Sequence, residues 1–191
     1  IGDFLCTKDF KVYGTSRNSS NYLDSNFQLF DLNVNNSDSI NSCIDKIIKI
    51  EGVLDVLINN AGVGITGPLE EIPEIEIKNN FNTNFFGPIN IIKKVLPIMR
   101  SEKSGLIINI TSLAAYVGTP YRSVYSASKA ALDLVSETLN METKPFNIKV
   151  VSVAPGEFST NIASGRYHAS CEKKSPYHLN YSKALTLMNN H

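Results

Sequence analysis

Apolar positions follow two rhythms along this chain, and the rhythms take turns. FKVYGTS (10–16) is a short β-rich run, and NFQLFDL (26–32) alternates as a second strand would. In SDSINSCIDKIIKI (37–50) the period changes. Ile40, Ile44, Ile47 and Ile48 share one helical face, behind Ser37 or Asp38 as N-cap. VLDVLINN (53–60) reads as a buried strand. Residues 74–100 read as a long helix, bent near Pro88 and ending soon after Pro97. GLIINITS (105–112) is a further buried strand, 122–143 a helix, and NIKVVSVAPG (147–156) a strand running into a turn.

Strands that alternate with helices and are apolar on both faces predict an α/β fold: a doubly wound parallel sheet with helices on both faces. The chain carries no repeats, linkers or low-complexity tracts, so one domain is expected over 1–191. Its periodicity fades from Glu157 onward, and 157–191 reads as a loop or lid region with one helical piece, SKALTLMN (182–189). Ligands of such sheets sit at the carboxyl ends of the strands. That rule selects Gly14–Arg17, Asn59–Gly62, Thr111–Leu113 and Pro155–Thr160, all read as loops.

Composition narrows the function classes. With 191 residues, 42% apolar and 19% charged, the chain has the make-up of a globular protein with a sizeable core. A formal net charge of zero gives no reason to expect nucleic acid or an anionic membrane as partner. Its longest aliphatic runs, such as Leu106–Ile108, are far too short to span a bilayer. Cys6, Cys43 and Cys171 are scattered without a C-x-x-C pair, which reads as reduced thiols and a cytoplasmic location. His168 and Cys171 have H-x-x-C spacing but no second pair, so no metal is expected.

Candidate chemistry begins with Tyr125 and Lys129, which stand one above the other on a helix face. A phenol is a poor acid–base group at neutral pH, and a nearby ammonium favours its ionised form. Of the eight tyrosines only Tyr125 has a lysine four residues on. An ordinary half-buried helix face is the alternative. Ser112, at the end of the preceding strand, could hydrogen-bond the same substrate oxygen, or could simply cap a loop; Thr111 is the neighbour that competes for the role. Asn84 sits inside the long helix, where asparagine is disfavoured, and reads equally as a helix-bend residue or as part of a site.

NNAG (59–62), NTNFFG (82–87), INITS (108–112), YSASK (125–129) and PGEFST (155–160), in this order and spacing, resemble the short-chain dehydrogenase/reductase superfamily, in its compact single-domain type. The resemblance covers the chain up to about Ile162. It implies a Rossmann-like fold and an oxidoreductase moving a hydride between a nicotinamide cofactor and a carbonyl or secondary alcohol. Tyr125 would be the general acid/base. Lys129 would lower its pKa and hold the nicotinamide ribose. Ser112 would orient the carbonyl, and Asn84 would hold a water linking Lys129 to solvent. Asn60, Ala61 and Gly62 would let the backbone approach the cofactor. Beyond Pro155 and Gly156, the Phe158 backbone and the Thr160 hydroxyl would meet the nicotinamide end. Asp31 would contact the adenine and Leu32 line its slot.

Such enzymes that prefer NAD place an acid after the second strand, and those that prefer NADP a base. VYGTSR ends in Arg17, with Thr15 and Ser16 as hydroxyl donors and no acid before Asp24, so NADP(H) is expected over NAD(H). Two departures stand out. The glycine-rich phosphate turn is missing. The best register puts Ile1 one turn into the helix that follows that turn, with Ile1, Phe4 and Leu5 as its apolar face and Gly2 as an ordinary helix residue. Residues 157–191 can supply only the family's substrate loop and part of a helix, not its last strand. The expectation is a fragment lacking its first and last strands, with a gap between the strands at 10–16 and 53–60, and itself inactive.

Leu113, Ala114, Ala115, Tyr116 and Val117 on one side, and Gly64 and Ile65 on another, would shape a pocket for a small apolar molecule, with Arg166, Tyr167, Tyr177 and Tyr181 in the lid. Surplus apolar residues on the helices, among them Phe85, Phe86, Leu134 and Leu139, suggest a homodimer or homotetramer. The same residues also admit a truncated non-catalytic relic, and a sugar-nucleotide epimerase of the extended type, which the NNAG and PG-x-x-x-T patterns disfavour.

Overall fold

The computed structural model describes residues 1–21, 25–156 and 165–189. In order, its principal elements are α1 (Gly2–Cys6), β1 (Tyr13–Ser16), β2 (Gln28–Asp31), α2 (Ser37–Glu51), β3 (Val56–Asn59), β4 (Ile65–Thr66), α3 (Glu74–Phe81), α4 (Gly87–Glu102), β5 (Gly105–Ile110), α5 (Ser123–Thr143), β6 (Ile148–Val153), β7 (Tyr167–His168) and α6 (His178–Asn189). Every described strand pairing is parallel. β1 pairs with β2, β5 lies between β3 and β6, and the small pair β4–β7 stands apart. This is the α/β, Rossmann-like arrangement that the alternating pattern predicts. The expected discontinuity is there too: among the described strands β1 pairs only with β2, and β3 only with β5.

One core ties the pieces together. Ile40, Cys43, Ile44 and Ile47 of α2 meet Ile91, Ile92, Val95 and Met99 of α4 over Leu32, Ile107, Ile148 and Val150. Val95, Met99 and Ile107 are wholly buried, and each contributes about 1.5–3 kcal/mol by leaving water. Alternation along β6 points Ile148 and Val150 into this core, while Val151 and Val153 face the other way, 41% and 46% exposed. A second cluster forms where Ile65, Ile72, Val124 and Tyr125 pack against Ala169 and Tyr181 of the tail.

Several local expectations change. Asn36, not Ser37 or Asp38, caps α2: its Oδ1 accepts from Ser39 N–H at 2.8 Å. Gly14 to Ser16 belong to a strand, and only Arg17 lies beyond its end. Near Pro88 the long helix is broken by a π-helical turn over Asn82–Phe86, and α4 runs on through Pro97 to Glu102. The tail helix starts at His178, four residues earlier than the pattern suggested. In α1, Ile1 and Phe4 are 66% and 64% exposed, so the expected apolar face is largely in solvent. Gly2 is not an ordinary helix residue: the Phe27 ring packs where its Cβ would stand, and the opposite edge of that ring covers Gly14.

Candidate active site

β3 and β5 end side by side in the register Asn59–Asn109, and the two side chains are bonded, Asn59 Nδ2 donating to Asn109 Oδ1 at 2.8 Å. Asn109 Nδ2 donates to Ser136 Oγ at 2.8 Å, and the Ser136 hydroxyl donates to the Leu132 carbonyl at 2.6 Å. This buried chain fastens α5 to the strand ends. It explains why polar side chains at strand positions are tolerated: each finds a partner. Neither Asn109 nor Ser136 stood out in the sequence, because a single asparagine in INITS looks like a strand end rather than a link.

The loop after β3 is held by α3 and the π-helical turn. Asn84, wholly buried, accepts from Val63 N–H at 2.8 Å and donates to the Val63 carbonyl at 2.9 Å. Asn80, one turn earlier, donates to the same carbonyl at 3.0 Å. Asn84 Nδ2 also lies 3.1 Å from Ser128 Oγ, which itself donates to the Tyr125 carbonyl. Asn84 is therefore both bend residue and site residue. Its backbone carbonyl loses the usual helical donor, because the residue four positions on is Pro88, which has no N–H. Asn80 and Ser128 are further site residues the sequence pattern missed; their only signal was helical spacing from Asn84 and Lys129.

Lys129 is 3% exposed, and its Nζ donates to the Ile110 carbonyl at 2.7 Å, its one hydrogen bond among the described residues. Burial pushes its pKa down to about 8. A Cβ on Gly62 would stand 3.3 Å from this Nζ and 3.4 Å from Asn84 Oδ1. A side chain at Gly62 would therefore crowd the Lys129 ammonium and the Asn84 amide where the β3 loop meets α5 and the π-helical turn. Among the described residues the ammonium keeps two N–H groups without acceptors there. That donor surplus beside bare glycine backbone fits a hydroxyl-rich group such as a nucleotide ribose.

Tyr125 sits one turn before Lys129, 7% exposed, with the Arg122 guanidinium 5.4 Å from its ring centre. Its hydroxyl makes no hydrogen bond among the described residues. Thr111 and Ser112 now separate. Thr111 is buried and spends both its N–H and its hydroxyl on the Val153 carbonyl. Ser112 accepts from Ala114 N–H at 3.2 Å, so its own proton stays available. The turn it caps packs against α5 and, through Ala114, against the Tyr125 cluster. Pro155 joins this loop, its carbonyl accepting from Leu113 N–H at 3.1 Å, with Gly156 beside the Leu113 side chain.

Around the β1–β2 ends the expectations need correction. Asp31 is the register partner of Ser16, so an acid does stand next to Arg17. Its carboxylate accepts Ser19 N–H at 2.7 Å, which lowers its pKa. Leu32 turns its side chain into the main core, 8% exposed, and offers the strand end only backbone. Ser16 closes a small turn on Asn18. Arg17 is exposed and forms no ion pair among the described residues. Asn60 and Ala61 are exposed at the end of β3. Phe158 and Thr160 lie outside the described residues. Cys171 faces His178, 3.5 Å from its Nδ1, rather than His168, and no group of metal ligands occurs among the described residues. No described helix is long and apolar enough to cross a membrane.

The chain belongs to the short chain dehydrogenase family, which matches over residues 5–170. It is 46% identical over 155 residues to the 3-ketodihydrosphingosine reductase of Bacteroides thetaiotaomicron, covering 81% of this chain and 57% of that one. A short-chain dehydrogenase from Streptomyces avermitilis superposes with a TM-score of 0.86 at 32% identity, covering 94% of this chain and 68% of that one. ElxO with NADP bound superposes with a TM-score of 0.78 at 31% identity, covering 85% and 71%. The chain spans about 57–60% of the length of this and two further curated relatives it matches. The family consists of oxidoreductases that bind a nicotinamide cofactor.

Proposed function

We propose that this chain carries the proton-transfer half of an NADP(H)-dependent reductase acting on the carbonyl of a small, largely apolar molecule, or on the matching secondary alcohol. The observation that carries the reading is the Lys129 ammonium, buried against the Ile110 carbonyl, one turn from Tyr125 and with free donors beside Gly62. NADP(H), when bound, supplies or accepts the hydride.

The chain's own groups do the rest. As a carbonyl is reduced, negative charge builds on its oxygen, and the Tyr125 hydroxyl gives that oxygen its proton. Ser112, whose proton is uncommitted, donates a second hydrogen bond to the same oxygen. Lys129 stays largely cationic at neutral pH, favours the phenolate left behind, and offers its spare N–H groups to ribose hydroxyls. The Asn84 carbonyl, freed of a helical donor, can hold a water that returns the proton from solvent. Leu113, Tyr116 and Val117, exposed beyond Ser112, give an apolar approach.

Arg17 favours NADP(H): a guanidinium suits a 2′-phosphate, and Asp31 beside it is already engaged by Ser19. Pro155, Gly156, Phe158 and Thr160 would take the nicotinamide end. The exposed apolar Phe86, Leu134 and Met141 are consistent with a homo-oligomer, and a cytoplasmic setting suits the free thiols. The test, made on the whole protein that carries this sequence because the segment alone is expected to be inactive, is NADPH-dependent reduction of a ketone panel by that protein and by its Tyr125→Phe variant. The variant should lose at least about a thousandfold in kcat/KM while binding NADPH unchanged. Retained turnover would reject the assignment.

A further inference from the structure

Arg122 is a cation placed against the phenol that the proposed reaction uses. Its guanidinium lies over the ring of Tyr125, 5.4 Å from the centre. Among the described residues it forms no ion pair, and its Nε, shut off from solvent, finds no acceptor. A shielded N–H of a charged group is costly to leave unpaired, and stacking on an aromatic face compensates only in part. The backbone that delivers Arg122 is itself constrained. Tyr121 just before it has a left-handed φ of 65°, which a bulky residue rarely adopts. Tyr121 is pinned on two sides, its carbonyl accepting from Gly67 N–H at 2.9 Å and its ring tilted against that of Tyr181, with centres 5.0 Å apart.

We propose that Arg122 is a specificity-determining residue which docks a carboxylate of the substrate beside Tyr125, so that the preferred substrate is an oxo acid with an apolar chain. The inference rests on the reductase reading above. The fork of the two terminal guanidinium nitrogens matches the two oxygens of a carboxylate, and an anion held there offsets the charge of a group whose Nε is shielded behind them. The apolar cluster that holds Tyr125 includes Tyr121, Tyr167, Cys171, Tyr177 and Tyr181. Two acids reach its edge and both are engaged, Glu70 accepting from the Tyr177 hydroxyl at 2.7 Å and Glu71 from the Ser175 hydroxyl, which leaves Arg122 to meet a carboxylate. Arg166, in the tail, lies against Gly64.

The test uses 4-oxo-octanoate and its methyl ester as paired ketones with NADPH, and octanoate as a non-reacting ligand followed by calorimetry. The protein should prefer the acid by about tenfold or more in kcat/KM. Arg122→Met should lower reduction of the acid about 30-fold and of the ester less than about threefold, and weaken octanoate binding about tenfold. Arg122→Lys, which keeps the charge without the fork, should fall between. An equal loss on both ketones, or octanoate binding untouched by Arg122→Met, overturns the inference. Should neither ketone turn over while octanoate binding still depends on Arg122, carboxylate docking stands and the reductase reading fails.

Discussion

Asn84 and Val63 are locked together by two hydrogen bonds, the Val63 N–H at 2.8 Å from Asn84 Oδ1 and the Val63 carbonyl at 2.9 Å from its Nδ2. One side chain thus does for a loop residue what a neighbouring strand does for a strand residue. Its removal leaves a buried N–H without an acceptor, because Asn80 reaches only the carbonyl. Asn84→Ala should destabilise the protein by about 2–4 kcal/mol, read from the denaturant midpoint with an unchanged slope. Asn80→Ala should cost less, about 1 kcal/mol, since the Val63 carbonyl keeps Asn84. Equal losses in the two variants would contradict this division of labour.

Lys129 makes stability depend on pH in a stated direction. Its folded pKa is about 8, against 10.5 for a free lysine. Below pH 8 both folded and unfolded chains carry the proton, and the folded state bears the whole cost of a buried ammonium. Between about 8 and 10.5 the unfolded chain still holds a proton that the folded one has released, so stability rises with pH. The rise attributable to this residue is about 3 kcal/mol. Lys129→Met should remove it and should be the more stable form at pH 7. Function moves the opposite way: NADPH binding should weaken above pH 8 as the ammonium is lost, and the variant should bind poorly throughout. A difference in stability between the two proteins that did not change from pH 7 to 10.5 would refute the burial argument.

Much of this arrangement was legible from residue order. Periodicity located the main strands and helices because an apolar face must be buried at period two or near four, and Ile40, Ile44 and Ile47 are buried as their spacing requires. Tyr125 and Lys129 could be paired because a helix fixes their separation. What periodicity lacks is information across elements. Nothing in NFQLFDL says that the Phe27 ring needs Gly2 and Gly14 bare, or that Leu32 turns into the core. The Asn59–Asn109–Ser136 chain joins three elements, so no local window contains it. Asp31 looked remote from Arg17 in sequence, yet parallel pairing sets it opposite Ser16.

That juxtaposition sharpens the cofactor prediction. With Asp31 committed to Ser19 N–H, Arg17 is the group left to meet a 2′-phosphate. Arg17→Asp should shift the ratio of NADPH to NADH efficiency towards NADH by about 100-fold, chiefly through KM. Steady-state kinetics with both cofactors measures it, and an unchanged ratio would remove Arg17 from the site.

The claim on which the rest depends is that Tyr125 gives a proton to an oxygen whose carbon receives a hydride from the nicotinamide. Incubation with NADPH deuterated at C4 and a ketone, followed by mass spectrometry of the alcohol, tests it directly. The account predicts one deuterium on the carbinol carbon of the product from the native protein, and almost no product from Tyr125→Phe. Unlabelled alcohol, or labelled alcohol formed equally well by the variant, would contradict it.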